Sequence, residues 1–223
     1  MSNTELILAA DPPAEFHGDA RELLRSVGSA ETLPGTARLE RSASFVRPKD
    51  AASLDVFLSR YTDEILIPVE LPAVLDAWSF AEAGHARELI ELDRELLRDE
   101  RLKPFRDASC AVGRRQLSKL RPLRDQRVTQ RYWKAMDNGE AAAWHTLVFG
   151  VMTSVYSIPV RQALAQLAGQ TLGGFAFSAA GDYQLRLDDC RTVVAEQAER
   201  LPERINRLIQ EDSRHKQPLF AAV

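Results

Sequence analysis

The chain has 223 residues, 45% of them hydrophobic and 27% charged, an ordinary globular balance with enough length to bury a core without staples. Its 29 basic and 32 acidic side chains leave a net charge of -3, which excludes the electrostatic footprint of a nucleic-acid binder. Two cysteines, Cys110 and Cys190, supply neither a Cys-x-x-Cys clip nor a disulfide framework and are expected as small, reduced, packed groups.

Residues 1–18 hold Pro12, Pro13 and Gly18, show no sustained period and are expected as a loose N-terminal arm. The start has no basic n-region of a signal peptide, and no apolar run nears the roughly 20 residues of a membrane span. A cytoplasmic protein is therefore expected, with no membrane partner. Asp19 is placed to cap a short helix through Val27, and Gly28 to Lys49 reads as a long loop and a candidate contact surface.

Ser53 is placed to cap a helix whose stripe is Leu54, Phe57, Leu58, Tyr61 and Ile65, with Pro68 expected to break it. Leu71, Val74, Leu75 and Trp78 predict a second helix ending near Gly84. A third carries Leu89, Ile90, Leu96 and Leu97, with Glu88, Glu91, Asp93, Arg94, Glu95 and Arg98 expected mostly in solvent. After Lys103-Pro104 a fourth runs from Phe105 to about Leu120. The basic run of Arg114, Arg115, Lys119, Arg121, Arg124, Arg127 and Arg131 reads first as a solvated face. No glycine-rich phosphate loop accompanies it.

Glu140 to Ser157 has almost no polar face and predicts a buried central helix. Pro159 opens the next helix. Its small residues, among them Ala163, Ala165, Ala168, Gly173, Gly174 and Ala176, suit close packing inside the chain or a self-association surface. A last long helix over about Asp188 to Gln210 contains Pro202 as an expected kink, and 211–223 reads as a docking tail. About eight helices and no strand alternation predict an all-α, single-domain bundle over residues 19–210.

Catalytic signatures are missing from the pattern. There is no P-loop, no G-x-S-x-G and no H-E-x-x-H, and His17, His85, His145 and His215 share no ligand spacing. His145, beside Trp144 in the apolar helix, reads as a hydrogen-bonded core histidine. Asp188-Asp189 raises the alternative of a helical Mg-dependent enzyme with Arg114 in its cavity. The pair lacks a further acid one turn on, however, since position 192 is Thr, and it reads as a cap on the helix N-terminus.

The order of segments resembles the UreF-type urease accessory proteins. Four stretches carry the likeness. They are Leu33-Pro34-Gly35 with Leu39-Glu40; Ser53-Leu54, Val69-Glu70-Leu71-Pro72 and Ala83-Gly84; Arg106-Asp107-Ala108-Ser109, Gly113-Arg114-Arg115 and His145 to Phe149-Gly150; and Ser213-Arg214-His215 with Leu219-Phe220. Where that family has a basic residue and a Pro-x-Gly-Gln turn, this chain has Gly181-Asp182-Tyr183-Gln184-Leu185-Arg186.

The resemblance implies a non-enzymatic nickel-insertion chaperone. It would bridge a UreD/UreH-type scaffold and a UreG-type GTPase on apo-urease, as a monomer or homodimer. It would hold no cofactor, and nickel would be delivered to urease rather than kept here. It implies partner contacts at Leu33, Pro34, Gly35, Asp182, Tyr183, Arg186, Arg214, His215, Leu219 and Phe220. Arg106, Ser109, Gly113, Arg114, His145 and Gly150 would serve as structural motif residues. An adaptor of the same descent that no longer serves urease is the alternative reading.

Overall fold

The computed structural model describes residues 48–120 and 126–216, apart from the side chains of Lys119, Phe177, Asp182 and residues 213–216. The expected N-terminal arm, the helix at 19–27, and Leu33, Pro34, Gly35, Leu219 and Phe220 lie outside the described residues. What is described is all-helical, with no strand.

The first rod begins at Asp50, not Ser53. The Asp50 carboxylate accepts from the Ser53 backbone N–H at 2.8 Å, and the Ser53 hydroxyl accepts from the Asp50 N–H at 3.0 Å, a reciprocal capping box. Helix α1 (Ala51–Tyr61) then runs through a π-helical segment (Thr62–Glu70) directly into α2 (Leu71–Ala83). Pro68 was expected to end the helix, because its ring collides with the carbonyl four residues back. The wider turn removes that conflict: the Leu71 N–H bonds Leu66 O, five residues back, and the rod continues past the proline. Gly84, at φ 79°, closes α2 in the left-handed conformation that glycine adopts without a Cβ penalty.

Helix α3 (Ala86–Arg98) leads through a 3-10 turn (Glu100–Phe105) into α4 (Arg106–Lys119), and α5 (Arg127–Asp137) follows. Helix α6 (His145–Val155) is the centre of the bundle. Every residue from His145 to Thr153 is buried, and α6 packs chiefly between α2 and α4. It starts later than its apolar run suggested, because residues 140–144 form a non-helical strap. Ala143 in that strap has φ 60°, a left-handed conformation costly for a residue with a Cβ.

Helix α7 (Val160–Tyr183) covers α2, α6 and α1. Its small residues Ala163, Ala165, Ala168, Gly173, Gly174 and Ala176 are buried within the chain, so the small-residue face is internal packing. Phe175 from α7 meets Phe57, Tyr61 and Phe105 edge-on, with ring centroids 4.6 to 6.0 Å apart, and these four rings fill one end of the core.

The last long helix is two helices, α8 (Leu187–Glu199) and α9 (Leu201–Lys216). Pro202 does not kink a continuous helix. It occupies the first turn of a new one, where its missing N–H costs nothing. Helix α9 continues past Gln210, so the backbone of Arg214 and His215 is helical.

Candidate functional site

Among the described residues, a dense set of polar contacts surrounds the strap before α6. Leu89, Asp93 and Leu96 share the buried stripe of α3, and Asp93 is fully buried rather than solvated as expected. Its Oδ2 accepts from the Tyr132 hydroxyl at 2.5 Å, from the Ala143 N–H at 3.0 Å and from the Trp144 N–H at 3.4 Å. Its Oδ1 accepts from the Ala142 N–H at 2.6 Å. An ionised carboxylate out of water needs such a ring of donors, and backbone groups leaving a regular helix need an acceptor. Each side solves the other's problem. On the same helix the Arg94 Nε donates to Glu140 O at 3.0 Å, which ties down the start of the strap.

Helix α4 grips the strap from the opposite side. A Cβ on Gly113 would lie 1.9 Å from the Ala143 carbonyl oxygen, so only glycine permits this approach. The Ser109 hydroxyl accepts from the His145 N–H at 3.1 Å, satisfying a free donor at the start of α6. The Arg114 Nε donates to Ala142 O at 3.3 Å. Gln116 Oε1 faces His145 Nδ1 at 2.8 Å. Gly150 acts likewise one layer away, where a Cβ would stand 2.6 Å from Val74 O on α2. The Arg106 guanidinium donates to Leu97 O and joins the start of α4 to the end of α3. Of the six motif residues, Ser109, Gly113, Arg114 and His145 meet at the strap, while Arg106 and Gly150 secure the helices beside it.

Burial governs the titrating groups here. It pulls the His145 imidazole down to about 4, so the ring is neutral at pH 7. It pushes the Cys110 thiol up to about 11, helped by the nearby Asp93 charge, and raises Cys190 as well. Both thiols are buried and free, and neither is a thiolate nucleophile at neutral pH. Tyr132 is held well above its ordinary value, first by burial and then by the Asp93 charge. Among the described residues no three His, Cys, Asp or Glu side chains gather as a metal site. Among them, too, no helix is long and apolar enough to cross a membrane.

The C-terminal positions expected to meet partners are arranged differently. Gly181, Asp182 and Tyr183 are the end of α7 rather than a loop, and Gln184 caps it at φ 56°. Tyr183 is half-buried against the core. The Arg186 guanidinium is engaged by Asp189, with Nη2–Oδ1 at 2.7 Å and Nε–Oδ2 at 2.9 Å. Asp188 pairs with Arg191 at 2.9 Å. Both aspartates lie in the first turn of α8, where they complement its dipole. Neither is the cap, which falls on Arg186. Asp189 lines a depression with Asp55 and Glu196, whereas Arg114 lines another with Leu97 and Met136, so these two depressions do not bring Asp189 and Arg114 together.

A family model described as UreF matches residues 49–180. The chain belongs to the UreF family. The match covers 132 of 223 residues and takes in the rod from α1 to α2, the strap and nearly all of α7. It holds the second and third stretches of the sequence likeness, and it stops before Gly181 and the tail. UreF proteins are urease accessory chaperones, not an enzyme family. No curated protein matches the chain.

Sequence reasoning missed the roles of Asp93 and Tyr132. Asp93 carried a signal: it falls four residues after Leu89 and three before Leu96, on the apolar stripe itself. A charge in that register has to find partners. Tyr132 sat outside every motif, and the donors of the strap are backbone groups that side-chain patterns do not announce.

Proposed function

We propose that this UreF-family chain acts in urease maturation as a nickel-insertion chaperone, bridging a UreD/UreH-type scaffold and a UreG-type GTPase on apo-urease. The observation that carries the reading is the family match over the helical core. The chain works in the cytoplasm, by differential binding: it favours one state of the GTPase and so shifts a population without a covalent step. Nickel is cargo passed to urease, and no nucleotide is held here. Residues 33–35, Arg214 and His215 near the end of α9, and Leu219 and Phe220 are the proposed contact regions for these partners.

The junction from Gly181 to Arg186 favours a qualified version of this role. Asp182 places a carboxylate where the family offers a basic residue, and Arg186 already serves Asp189. Like charges brought together at an interface cost several kcal/mol. A standard UreG-type GTPase is therefore expected to be recruited poorly, and a matching host GTPase well. The test is complementation of a urease operon lacking its own UreF-type gene, with the chain as it stands and with a graft of the family's Pro-x-Gly-Gln turn. Weak activation that the graft raises supports the reading. Full activation without the graft shows that the junction is neutral. Failure of both supports an adaptor that has left urease.

A further inference from the structure

Beneath the π-helical segment lies a cavity of about 40 Å³, bordered by Tyr61, Glu70, Ser109, His145, Thr171 and Phe175 among others. Its polar groups are incompletely served by the protein. With Nδ1 of His145 directed at Gln116 Oε1, an acceptor, Nδ1 donates and Nε2 is a bare lone pair. That Nε2 is buried and has no hydrogen-bond partner. Glu70 is shielded except for a fraction of its surface, and one carboxyl oxygen is bonded by the Tyr61 hydroxyl at 2.5 Å. Tyr61 and His145 are the only other ionisable side chains lining the cavity among the described residues, contributed by α1 and α6. The 3-10 turn, α4 and α7 face it with Phe105, Ala108, Ser109, Leu167, Thr171 and Phe175, none of which carries a charge.

An orphaned buried acceptor costs about 1–3 kcal/mol. A polar void of this size has room for one to about three water molecules, each needing roughly 10–15 Å³ and two or more polar partners. We propose that this cavity is a buried hydration site, in which ordered water donates to His145 Nε2 and bonds the Glu70 carboxyl, joining imidazole and carboxyl into one proton-sharing pair. The π-helical turn sets it up. By carrying the rod past Pro68 without a break, it keeps Tyr61 and Glu70, nine residues apart, on the same cavity.

The burial of the two groups has an observable consequence. Burial raises Glu70 from 4.5 to about 7, so between these values the folded chain holds a proton that the unfolded chain has lost, and stability falls as pH rises. Burial lowers His145 from 6.5 to about 4, so between these values the unfolded chain holds the extra proton, and stability rises with pH. From 4.5 to 6.5 the two slopes oppose each other, and each alone is a tenfold change in the folding constant per pH unit.

The first experiment is a high-resolution crystal structure of the full chain. Water density within hydrogen-bonding distance of His145 Nε2 and Glu70 is expected, and a dry cavity overturns the proposal. The second compares unfolding curves from pH 5 to 6.5. Relative to the native chain, Glu70→Gln should gain stability with rising pH, and His145→Gln should lose it, each by about tenfold per pH unit. If either variant fails to fold, the other carries the test. Slopes unchanged from the native chain in the variant that folds overturn the pair.

Discussion

The strap before α6 and the C-terminal pair α8–α9 are both rich in polar contacts, but the balance of buried long-range bonds and exposed local pairs differs between them. At the strap a single buried carboxylate, Asp93, serves three backbone N–H groups and one hydroxyl from 39 to 51 residues away along the chain. In the C-terminal pair three of the ion pairs are local and wet, while Arg204–Asp63 at 2.7 Å and the buried Gln197, which donates to Asp55 and Ser59, tie the pair to the first rod. Arg186–Asp189, Arg191–Asp188 and Arg207–Glu203 are spaced three or four residues apart, and at least one side chain of each is mostly exposed. Buried bonds over long sequence separations hold a tertiary shape, whereas exposed local pairs contribute little to it. The family match ends between the two regions, at residue 180. The helices beyond the match still contribute Cys190, Val194, Leu201 and Ile205 to the core, and their exposed faces carry the local pairs.

Substitution should expose that asymmetry. Asp93→Ala strips three backbone donors of their acceptor and leaves the Tyr132 hydroxyl unpaired in the core. A loss of about 4 kcal/mol in urea unfolding is expected, and a loss under 1 kcal/mol would mean the strap is not held by this residue. Gly113→Ala drives a Cβ toward the Ala143 carbonyl, which backbone can relieve only by moving. Its cost should be on the order of 3 kcal/mol, read in the same way. Tyr132→Phe removes one donor and leaves Asp93 with its backbone partners, so about 1–2 kcal/mol is expected. Arg186→Ala, in the exposed pair, should leave the melting temperature unchanged.

The same contrast explains what the sequence disclosed. Helices with clean stripes, such as Leu54 to Tyr61 and the apolar run through Phe149, were legible because burial writes itself at a period of 3.6 residues. Pro68 misled, since a local rule about proline does not see that a π turn relieves the clash. The strap was hidden inside an apolar run, because Ala142, Ala143 and Trp144 look helical until a carboxylate from α3 claims their N–H groups. At Pro202 the preference for a first helical turn outranked the expected kink. The motif residues were visible as a pattern, but their pattern did not say that Gly113 and Ser109 face one strap.

The proposed division between a folded core and a partner-binding C-terminal end is tested most directly by deleting residues 214–223 from the full chain. Melting temperature and capture of the UreD/UreH-type scaffold are then measured on the same preparation. Residues from Arg214 onward lie beyond the strap and beyond the family match, so the melting temperature should stay within about 2 °C of the native value while scaffold capture is lost. A truncated chain that melts far lower, or that still captures the scaffold, would contradict the account.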